Sequence, residues 1–371
     1  MRTTKSLKRQ QGAVAIIVGM AMLALLIVAA LAIDIGNLAI ARNETQNAAD
    51  ATALAAAQCL YRHTACSNTT ATQPDWSGAQ AEASTFAPSN TIQGAAVQAV
   101  TANPGYWDVT NPSAGLQSQS ITPTSTELPA VQVVVAKDGS NANGSVPAYL
   151  SGVMGVGFLR TSAVATAVVS WPGNVGPGGL FPFALSQCLY AAYWNAATNS
   201  PALATSTAPL PGQTVAQTVG QPYVFQVGSS YHINNCEAGQ WTTFDTNNQS
   251  SSYMVGLISA GNPNSMSIGQ NTFLQSGTES NGYHAVASCS QAGNGSCAWE
   301  TVAVVSTVTT TQGTPQPIVA FACVHILSES GSGKNATIYL QMANNPDRCQ
   351  TGNSGGVGPN YGAITPPRLV Q

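Results

Sequence analysis

The stretch that decides the fold is residues 12–58, which read GAVAIIVGMAMLALLIVAALAIDIGNLAIARNETQNAADATALAAAQ. No charged residue lies from Gly12 to Ile33, and Asp34 follows directly. As a helix, this apolar run would be about 33 Å long, which matches a hydrocarbon core of roughly 30 Å. The sequence therefore predicts a transmembrane helix over residues 12–33, with Gly12, Ile33, Asp34 and Gly36 marking the anchor and its exit.

The charges around the apolar run predict its orientation. Four cations lie in the predicted cytoplasmic basic segment, residues 1–11: Arg2, Lys5, Lys8 and Arg9. Asp34, Arg42 and Glu44 nearly balance beyond the run, so the positive-inside rule places the N-terminus in the cytoplasm. We expect a single-pass protein of a bacterial inner membrane, with the bulk of the chain periplasmic or otherwise extracytoplasmic. The alternative is a secretory signal cleaved at the small-x-small site Ala30-Leu31-Ala32, after which the protein is secreted.

Residues 34–60 are predicted to continue the same helix as a stalk. The segment is rich in alanine, lacks proline, and has apolar or small residues at three- and four-residue spacing. One helix of about 48 residues would be about 72 Å long. The alanines from Ala48 to Ala57 would allow close approach of a neighbouring helix, either in a homo-oligomer or in the globular part of the same chain.

Two residues at the exit of the apolar run have alternative interpretations. Asp34 either pairs with a cation of a partner subunit or lies in interfacial water, where a carboxylate costs little. Gly36 either allows a kink or permits close packing of helices.

The composition excludes nucleic acid as a partner. Charged residues make up 7% of the chain, against roughly 25% in ordinary soluble domains. The net charge is −3, and no basic stripe follows the first nine residues. The chain therefore has nothing with which to neutralise a phosphate backbone.

The cysteines indicate disulfides and an oxidising compartment. Their number, eight, is even, and no CxxC pair has the spacing of zinc ligands. The candidate disulfide residues are Cys59, Cys66, Cys188, Cys236, Cys289, Cys297, Cys323 and Cys349. Short spacings favour Cys59 with Cys66 and Cys289 with Cys297. Cys188 with Cys236 and Cys323 with Cys349 are then left, although eight thiols allow many other connectivities.

The N-terminal stretch resembles a known family. The turn Ala32-Ile33-Asp34-Ile35-Gly36, then Ala41-Arg42-Asn43, then the run from Gln46 to Ala57, is similar to the N-terminal region of the TadE/TadG-like Flp pilus-assembly proteins. Residues 131–169 resemble the family's strand, its "VPxxhxxhhG" segment and a second strand. Shorter similarities to the extracytoplasmic part of TadG-like members lie at 181–184, 239–241, 302–308 and 318–321.

One departure from the pilin pattern refines what the resemblance implies. Pseudopilins that prepilin peptidase cleaves carry glutamate at the fifth position after the cleavage glycine, and here the fifth residue after Gly12 is Ile17. The resemblance therefore implies an uncleaved, TadG-like membrane component rather than a fibre subunit. Its implied partners are the membrane and other pilus-assembly or envelope proteins. The DxSxS metal motif of the adhesion domain that many TadG-like proteins carry is absent from the sequence.

Beyond Cys59 the pattern predicts an α+β fold. Residues 61–170 read as an α+β extracytoplasmic unit, in which 78–87 and 148–156 favour short helices. The predicted strands of this unit lie at 97–109, 130–136 and 160–170. The Pro/Gly-rich residues 171–179 predict a linker.

The C-terminal half is predicted to be β-rich. Residues 180–350 favour a sandwich- or barrel-like extracytoplasmic domain stapled by disulfides, and residues 351–371 favour a disordered tail because they are rich in glycine and proline. The predicted strands of the domain include 222–227, 253–258, 301–309, 317–327 and 336–342.

No catalytic constellation, cofactor motif or metal-ligand cluster emerges from the sequence. The GxSxG match at 352–356 lies in the Gly/Pro-rich tail with no histidine after it, and the four histidines are dispersed. We therefore expect a non-enzymatic scaffold of the Flp (Tad) pilus assembly and secretion machinery. The alternative is a secreted or surface adhesin whose β-rich domain binds carbohydrate through exposed Trp194, Trp241 or Trp299. An extracytoplasmic hydrolase lacks a candidate site.

Overall fold

The computed structural model describes most of the chain. The described residues are 10–61, 66, 73–149, 155, 157–228, 232–233, 236–248, 250–275, 280–308, 313–331, 335–350 and 354–371. The helices are α1 Gln10–Gln58, α2 Trp76–Phe86, α3 Gln187–Tyr193, α4 Ser251–Ala260 and α5 Ser280–Cys289, with 3-10 turns at Ala87–Ser89 and Pro112–Ala114.

The strands form two main sheets and several short pairs. The strands of the main sheets are β1 Thr101–Asp108, β2 Leu116–Gln117, β3 Glu127–Lys137, β4 Thr161–Val168, β5 Phe183–Ser186, β6 Val224–Val227, β7 Gly239–Thr242, β8 Asn271–Gln275, β9 Trp299–Val305, β10 Thr314–Ser330, β11 Thr337–Met342 and β12 Arg368–Leu369. The short pairs are Thr91–Ile92 with Ala95–Ala96, Val146–Pro147 with Phe158–Leu159, Trp194–Asn195 with Ser200–Pro201, and His232–Ile233 with Cys236–Glu237.

The first sheet is antiparallel, in the order β12-β4-β3-β1-β2. The alternation along β3 explains its packing, because successive side chains of a strand point to opposite faces. Val131, Val133 and Val135 are fully buried in a cluster with the alanines of α1. Leu128 and Ala130 lie in a second cluster with Trp107 and Val168. The sheet, α2 and the C-terminal half of α1 form what we call the N-terminal unit.

The second sheet is barrel-like, and with its helices it forms what we call the C-terminal unit. Its order is β6-β11-β10-β8-β7-β5-β9, and β9 also pairs with β10. The long strand β10 pairs with β8 through its first residues and with β9 further along, which closes the ring. Trp241 is fully buried at the centre, with Phe183 and Tyr283 edge-on at 5.3 and 5.4 Å. The predicted α+β class with a β-rich, barrel-like domain is confirmed.

Three disulfides staple the described chain. They join Cys59 to Cys66, Cys289 to Cys297 and Cys323 to Cys349. Cys188 is also disulfide-bonded, and its predicted pairing with Cys236 falls on a side chain outside the described ones. Since disulfides persist in oxidising environments, they are consistent with an extracytoplasmic location for both units.

Two local predictions of secondary structure fare differently. Residues 253–258 were expected to form a strand, and the expectation is wrong, because they lie inside α4. Short apolar runs do not separate strand from helix by periodicity. Here the Ser250 side chain accepts a hydrogen bond from the Tyr253 N–H and caps the helix, and Gly261 ends it at φ 71°. Most of the helix predicted at 148–156 lies outside the described residues.

The described part of the tail, residues 354–371, is ordered, so the prediction of disorder over 351–371 is wrong for it. Arg368 and Leu369 pair with Val168 and Ala167 on the edge of the first sheet. Ile364 is buried in the core of the N-terminal unit, and Tyr361 stacks on Tyr190 of the C-terminal unit with ring centroids 4.2 Å apart. A composition rich in glycine and proline does not prevent order when an open sheet edge offers backbone hydrogen bonds.

Residues 171–179, predicted to be a linker, include the central strand of a short three-stranded sheet. Asn174–Val175 pairs with Met266–Ser267 and with Ser354–Gly355, and Val175 is fully buried. Asn262 donates through Nδ2 to the Gly176 carbonyl at 2.9 Å. The glycines and prolines here allow tight turns between strands instead of a loose connection.

Candidate functional site at the end of the apolar helix segment

The first half of α1 is an exposed apolar cylinder. Every residue from Val14 to Ile33 is exposed except Ala30, which is half-buried. Among the described residues, α1 alone is long and apolar enough to cross a membrane. Side chains such as Leu25 and Leu26, 69% and 67% exposed, have no partner of their own chain to cover them. A surface of this kind is stable in hydrocarbon and unstable in water.

The second half of α1 is the core helix of the N-terminal unit. Its fully or almost fully buried residues recur at three- and four-residue spacing: Asp34, Ala41, Thr45, Ala48, Ala49, Thr52, Ala53, Ala56 and Ala57. This stripe packs against β3, β4 and α2. A free stalk over residues 34–60 is therefore the wrong description, because the alanine face is already occupied by the chain's own sheet. In this structure the face is therefore not open to a second copy.

Asp34 connects the two halves of the helix. It is only 2% exposed, and its Oδ1 accepts a hydrogen bond of 2.8 Å from the backbone N–H of Tyr149. Of the two interpretations of Asp34, interfacial water does not agree with its burial, whereas pairing with a cation of a partner subunit stays a prediction. The sequence missed Tyr149, which is 115 residues away.

A set of polar contacts surrounds Asp34 along α1. The Asn37 side chain donates to the Pro147 carbonyl at 3.0 Å, and it accepts from the Gln93 side chain at 2.8 Å. Glu44 accepts from the Gln93 backbone N–H at 2.6 Å. These bonds hold two loops of the N-terminal unit against the first turns beyond the apolar run. We call Asp34, Asn37 and Glu44 with their partners the membrane-exit junction.

Part of this junction had a signal in the sequence. Asp34 and Asn37 continue the three- and four-residue spacing of the alanine stripe toward the N-terminus, so their polar groups fall on the face that the unit covers. A buried polar group needs a hydrogen-bond partner. The identity of that partner is set by how the sheet returns to the helix, which local spacing does not encode.

Replacing Asp34 by alanine is expected to release the Tyr149 loop from α1. A hydrogen bond to a charged acceptor contributes about 1.5–3 kcal/mol, and Asp34→Ala removes it. Hydrogen exchange of the backbone amides around Tyr149 should accelerate. Asp34→Asn is the matched control, since it keeps the Oδ1 acceptor and should retain most of the protection. Equal protection in the alanine and asparagine variants would show that the bond does not hold the loop.

Gly36 is exposed on α1. A Cβ added at this position meets no atom within 4 Å, and α1 runs unbroken through it. Neither a break in the helix nor close packing within the chain therefore requires this glycine. Gly12, the first residue of the predicted anchor, lies in the same helix. The burial of Gly12 is outside the part of the structure that is described.

A second candidate site is a cleft between the units, with a volume of about 860 Å³. Six of its thirteen lining residues are uncharged and polar: Gln73, Thr198, Ser200, Gln341, Asn344 and Asn345. Trp299 and His325 form one wall, with parallel rings 3.9 Å apart. Neutral hydrogen-bonding groups beside an indole are the pattern that neutral sugars bind. Of the three tryptophans considered for sugar binding, Trp194 and Trp241 are buried, and Trp299 lines this cleft.

Glu300 follows Trp299 in the sequence. Its buried carboxyl group should make the stability of the C-terminal unit depend on pH. Burial raises the pKa of Glu300 to about 7. The unfolded chain releases its proton near the ordinary value, so stability is fully present below that value and declines as pH rises toward 7. Glu300→Gln should remove this decline and stabilise the C-terminal unit by up to about 3 kcal/mol above pH 7. Chemical denaturation of both proteins at pH 4.5 and 8 measures it, and parallel pH profiles would contradict it.

The other groups considered among the described residues are metal ligands, His325 and the GxSxG match. Among them, no group of three or more histidine, cysteine or carboxylate side chains is placed to hold a metal ion. Burial lowers the pKa of His325, which favours the neutral imidazole in the cleft wall. The GxSxG match at 352–356 lies partly outside the described residues.

Comparison with known proteins identifies the N-terminal half. A family model for Flp pilus-assembly TadE/G-like proteins, Tad, matches residues 12–58. A second model, for Tad-like Flp pilus-assembly proteins, Tad_C, matches residues 39–167. Neither a curated protein nor a solved structure matches the chain. The two family models overlap where α1 enters the N-terminal unit, and the second ends with β4. Over residues 12–167 the chain is therefore similar to the TadE/G-like Flp pilus-assembly proteins.

Proposed function

We propose that this chain is a TadG-like, single-pass inner-membrane component of Flp pilus assembly that acts as a non-enzymatic scaffold. The observation that carries the proposal is the continuity of α1. One helix supplies both the exposed apolar segment and the core of the N-terminal unit. The globular body is therefore joined to its anchor without a hinge, as a scaffold that holds partners at a fixed height requires.

The orientation and the compartment follow from chemistry at the two ends of the anchor. The cations before the apolar run favour a cytoplasmic N-terminus. The disulfides in both units favour an oxidising space beyond it. Both features support a periplasmic body whose partners are other pilus-assembly or envelope proteins. The non-enzymatic role rests on the family, whose pilus-assembly members are generally non-catalytic.

The test is an exchange of the anchor that leaves the body intact. Deleting residues 12–58 would remove the core helix of the N-terminal unit, so the segment to change is 12–33 alone. Replacing it by a cleavable secretory signal should release a folded protein into the periplasm and abolish pilus assembly. Replacing it by an unrelated apolar helix of equal length should restore both. Normal pilus assembly with the body released from the membrane would refute the scaffold role.

Gly36→Ala tests whether a helix of another subunit packs against α1 at this position. Alanine is favoured over glycine in a helix interior by about 1 kcal/mol, and the added methyl group meets nothing in this chain. Stability should therefore stay equal or rise slightly. If a second copy or another subunit packs on this face, the variant should lower co-purification of that partner while the hydrogen exchange of α1 is unchanged. Normal co-purification would assign Gly36 no contact role.

The second candidate function is carbohydrate binding in the cleft, as in an adhesin. The single favouring observation is the Trp299 wall among neutral polar groups. Full-length protein on an array of neutral glycans tests it. Specific binding that Trp299→Ala abolishes and the exposed control Val219→Ala leaves unchanged would support the adhesin, and absence of binding by the unaltered protein would exclude neutral glycans as its ligands.

A further inference from the structure

We propose that Tyr149, Phe158 and Arg160 form a second membrane contact, in which the two aromatic side chains enter the headgroup region of the same bilayer that holds α1. The proposal rests on the anchor set out under Proposed function. It adds a lipid-binding surface on the globular body, separate from the helix and more than one hundred residues away in sequence.

The first argument is the position of the loop along the helix axis. Pro147 is bonded to Asn37 and Tyr149 to Asp34. Helical residues rise 1.5 Å each, so Asn37 and Asp34 are about 4.5 Å apart along the axis. The chain therefore descends from Pro147 to Tyr149 toward the apolar half of α1. Tyr149 lies at the level of Asp34, one residue beyond the end of the apolar run at Ile33, where the hydrocarbon core meets the headgroups.

The second argument is what the body exposes at this level. Tyr149 and Phe158 are 64% and 47% exposed, among the most exposed large hydrophobic residues outside α1. The register of the short hairpin pairs Phe158 with Pro147, which keeps the two aromatic side chains on the same loop close to α1. Tyrosine and other aromatic residues are enriched at membrane–water interfaces because their rings sit at the headgroup level.

The third argument is the charge pattern. No charged residue lies between Asp138 and Arg160. The guanidinium carbon of Arg160 lies 5.2 Å from the centre of the Phe158 ring. An aromatic ring with a cation beside it matches the boundary between acyl chains and anionic phosphates. Lipid is favoured over a protein partner because Tyr149 and Phe158 are held beside Asp34 and Asn37, within about one helical turn of the apolar surface of α1.

Two contacts have a mechanical consequence that one helix alone lacks. The tilt and rotation of a single transmembrane helix are set by neighbours and by interfacial anchors. With Tyr149 and Phe158 in the headgroups and α1 rigid through Asp34, the body has one preferred orientation over the membrane. The C-terminal unit would then present the same face to its partners in every copy.

Photocrosslinking in the full-length protein tests the proposal. Benzoyl-phenylalanine is placed singly at Tyr149, Phe158, Leu26 in the apolar run, or Val219, an exposed residue of the C-terminal unit. The protein is reconstituted in vesicles of phosphatidylethanolamine and phosphatidylglycerol and irradiated. The masses of its peptides are then measured by mass spectrometry. We expect phospholipid adducts at positions 26, 149 and 158 and none at 219. Arg160→Ala should lower the share of phosphatidylglycerol among the adducts at 158 several-fold.

Each other outcome identifies what fails. Adducts at position 26 without adducts at 149 and 158 would overturn the second contact and leave the anchor intact. Absence of adducts at position 26 would overturn the anchor itself. Adducts of 149 or 158 with protein, in native membranes that contain the pilus machinery, would assign this surface to a protein partner and overturn the lipid proposal. Folding does not confound the comparison, because the substituted side chains are exposed.

Discussion

Replacing Ala49 and Ala53 together by leucine is expected to destabilise the N-terminal unit by about 2–6 kcal/mol. Both alanines are fully buried between α1 and the first sheet. Overpacking a filled core costs typically 1–3 kcal/mol for each inserted side chain. The whole stability of a domain is about 5–15 kcal/mol, so the double variant should lose much of it. The anchor would stay in the membrane with a body that no longer folds stably on it.

Hydrogen exchange of the full-length protein in bilayer discs measures this effect. Backbone amides of β3 and β4 should lose protection, whereas those of β9 and β10 in the C-terminal unit should change little. Ala39→Leu is the matched control, because Ala39 is an exposed alanine of the same helix. If the double variant protected β3 as well as the control does, α1 would be a stalk separate from the unit, contrary to the packing described here.

Deleting residues 359–371 is expected to be nearly as damaging. The deletion removes the buried Ile364 from the core of the N-terminal unit and the ring of Tyr361 from Tyr190. Loss of a large buried aliphatic side chain costs about 2–5 kcal/mol and loss of an aromatic pair about 0.5–1.5 kcal/mol beyond its area. It also leaves the edge of β4 without its partner strand, which creates an exposed template for aggregation.

Chemical denaturation and hydrogen exchange of β4 distinguish a structural tail from a disordered one. The truncated protein should unfold at a lower denaturant concentration, with faster exchange at residues 161–168. Leu369→Ser is the control, since Leu369 is 40% exposed and should cost little. If the truncation changed neither measurement, the tail would not contribute to the fold, and the disorder suggested by its composition would be the better description.

The anchor and the fold class are the parts that local chemistry predicts well. The uncharged, mostly apolar run from Gly12 to Ile33 indicates a candidate membrane span by composition alone. Alternating valines in β3 and short spacings between cysteines act over a few residues, and both patterns are informative without knowledge of the rest of the chain.

The membrane-exit junction is predictable only in part. The spacing that makes Ala48, Ala49 and Ala53 a packing face also includes Asp34, so burial of that carboxylate follows from the helix period. The identity of the hydrogen-bond partner of Asp34 does not follow from the helix period. Tyr149 reaches Asp34 because the sheet β1-β3-β4 covers α1 and returns the connecting loop to the end of the apolar run, which is a property of the topology.

By itself, the sequence determined that the protein has one long helix, an apolar half followed by an alanine-rich half, and β-rich units held by disulfides. Only the tertiary structure decided that the alanine half is a core helix and that the tail is a strand. Small side chains and glycine-rich segments fit several environments at similar free energy, and their choice depends on which surfaces remain uncovered when distant elements meet. In this protein the first sheet supplied both of those surfaces, a face for α1 and an edge for the tail.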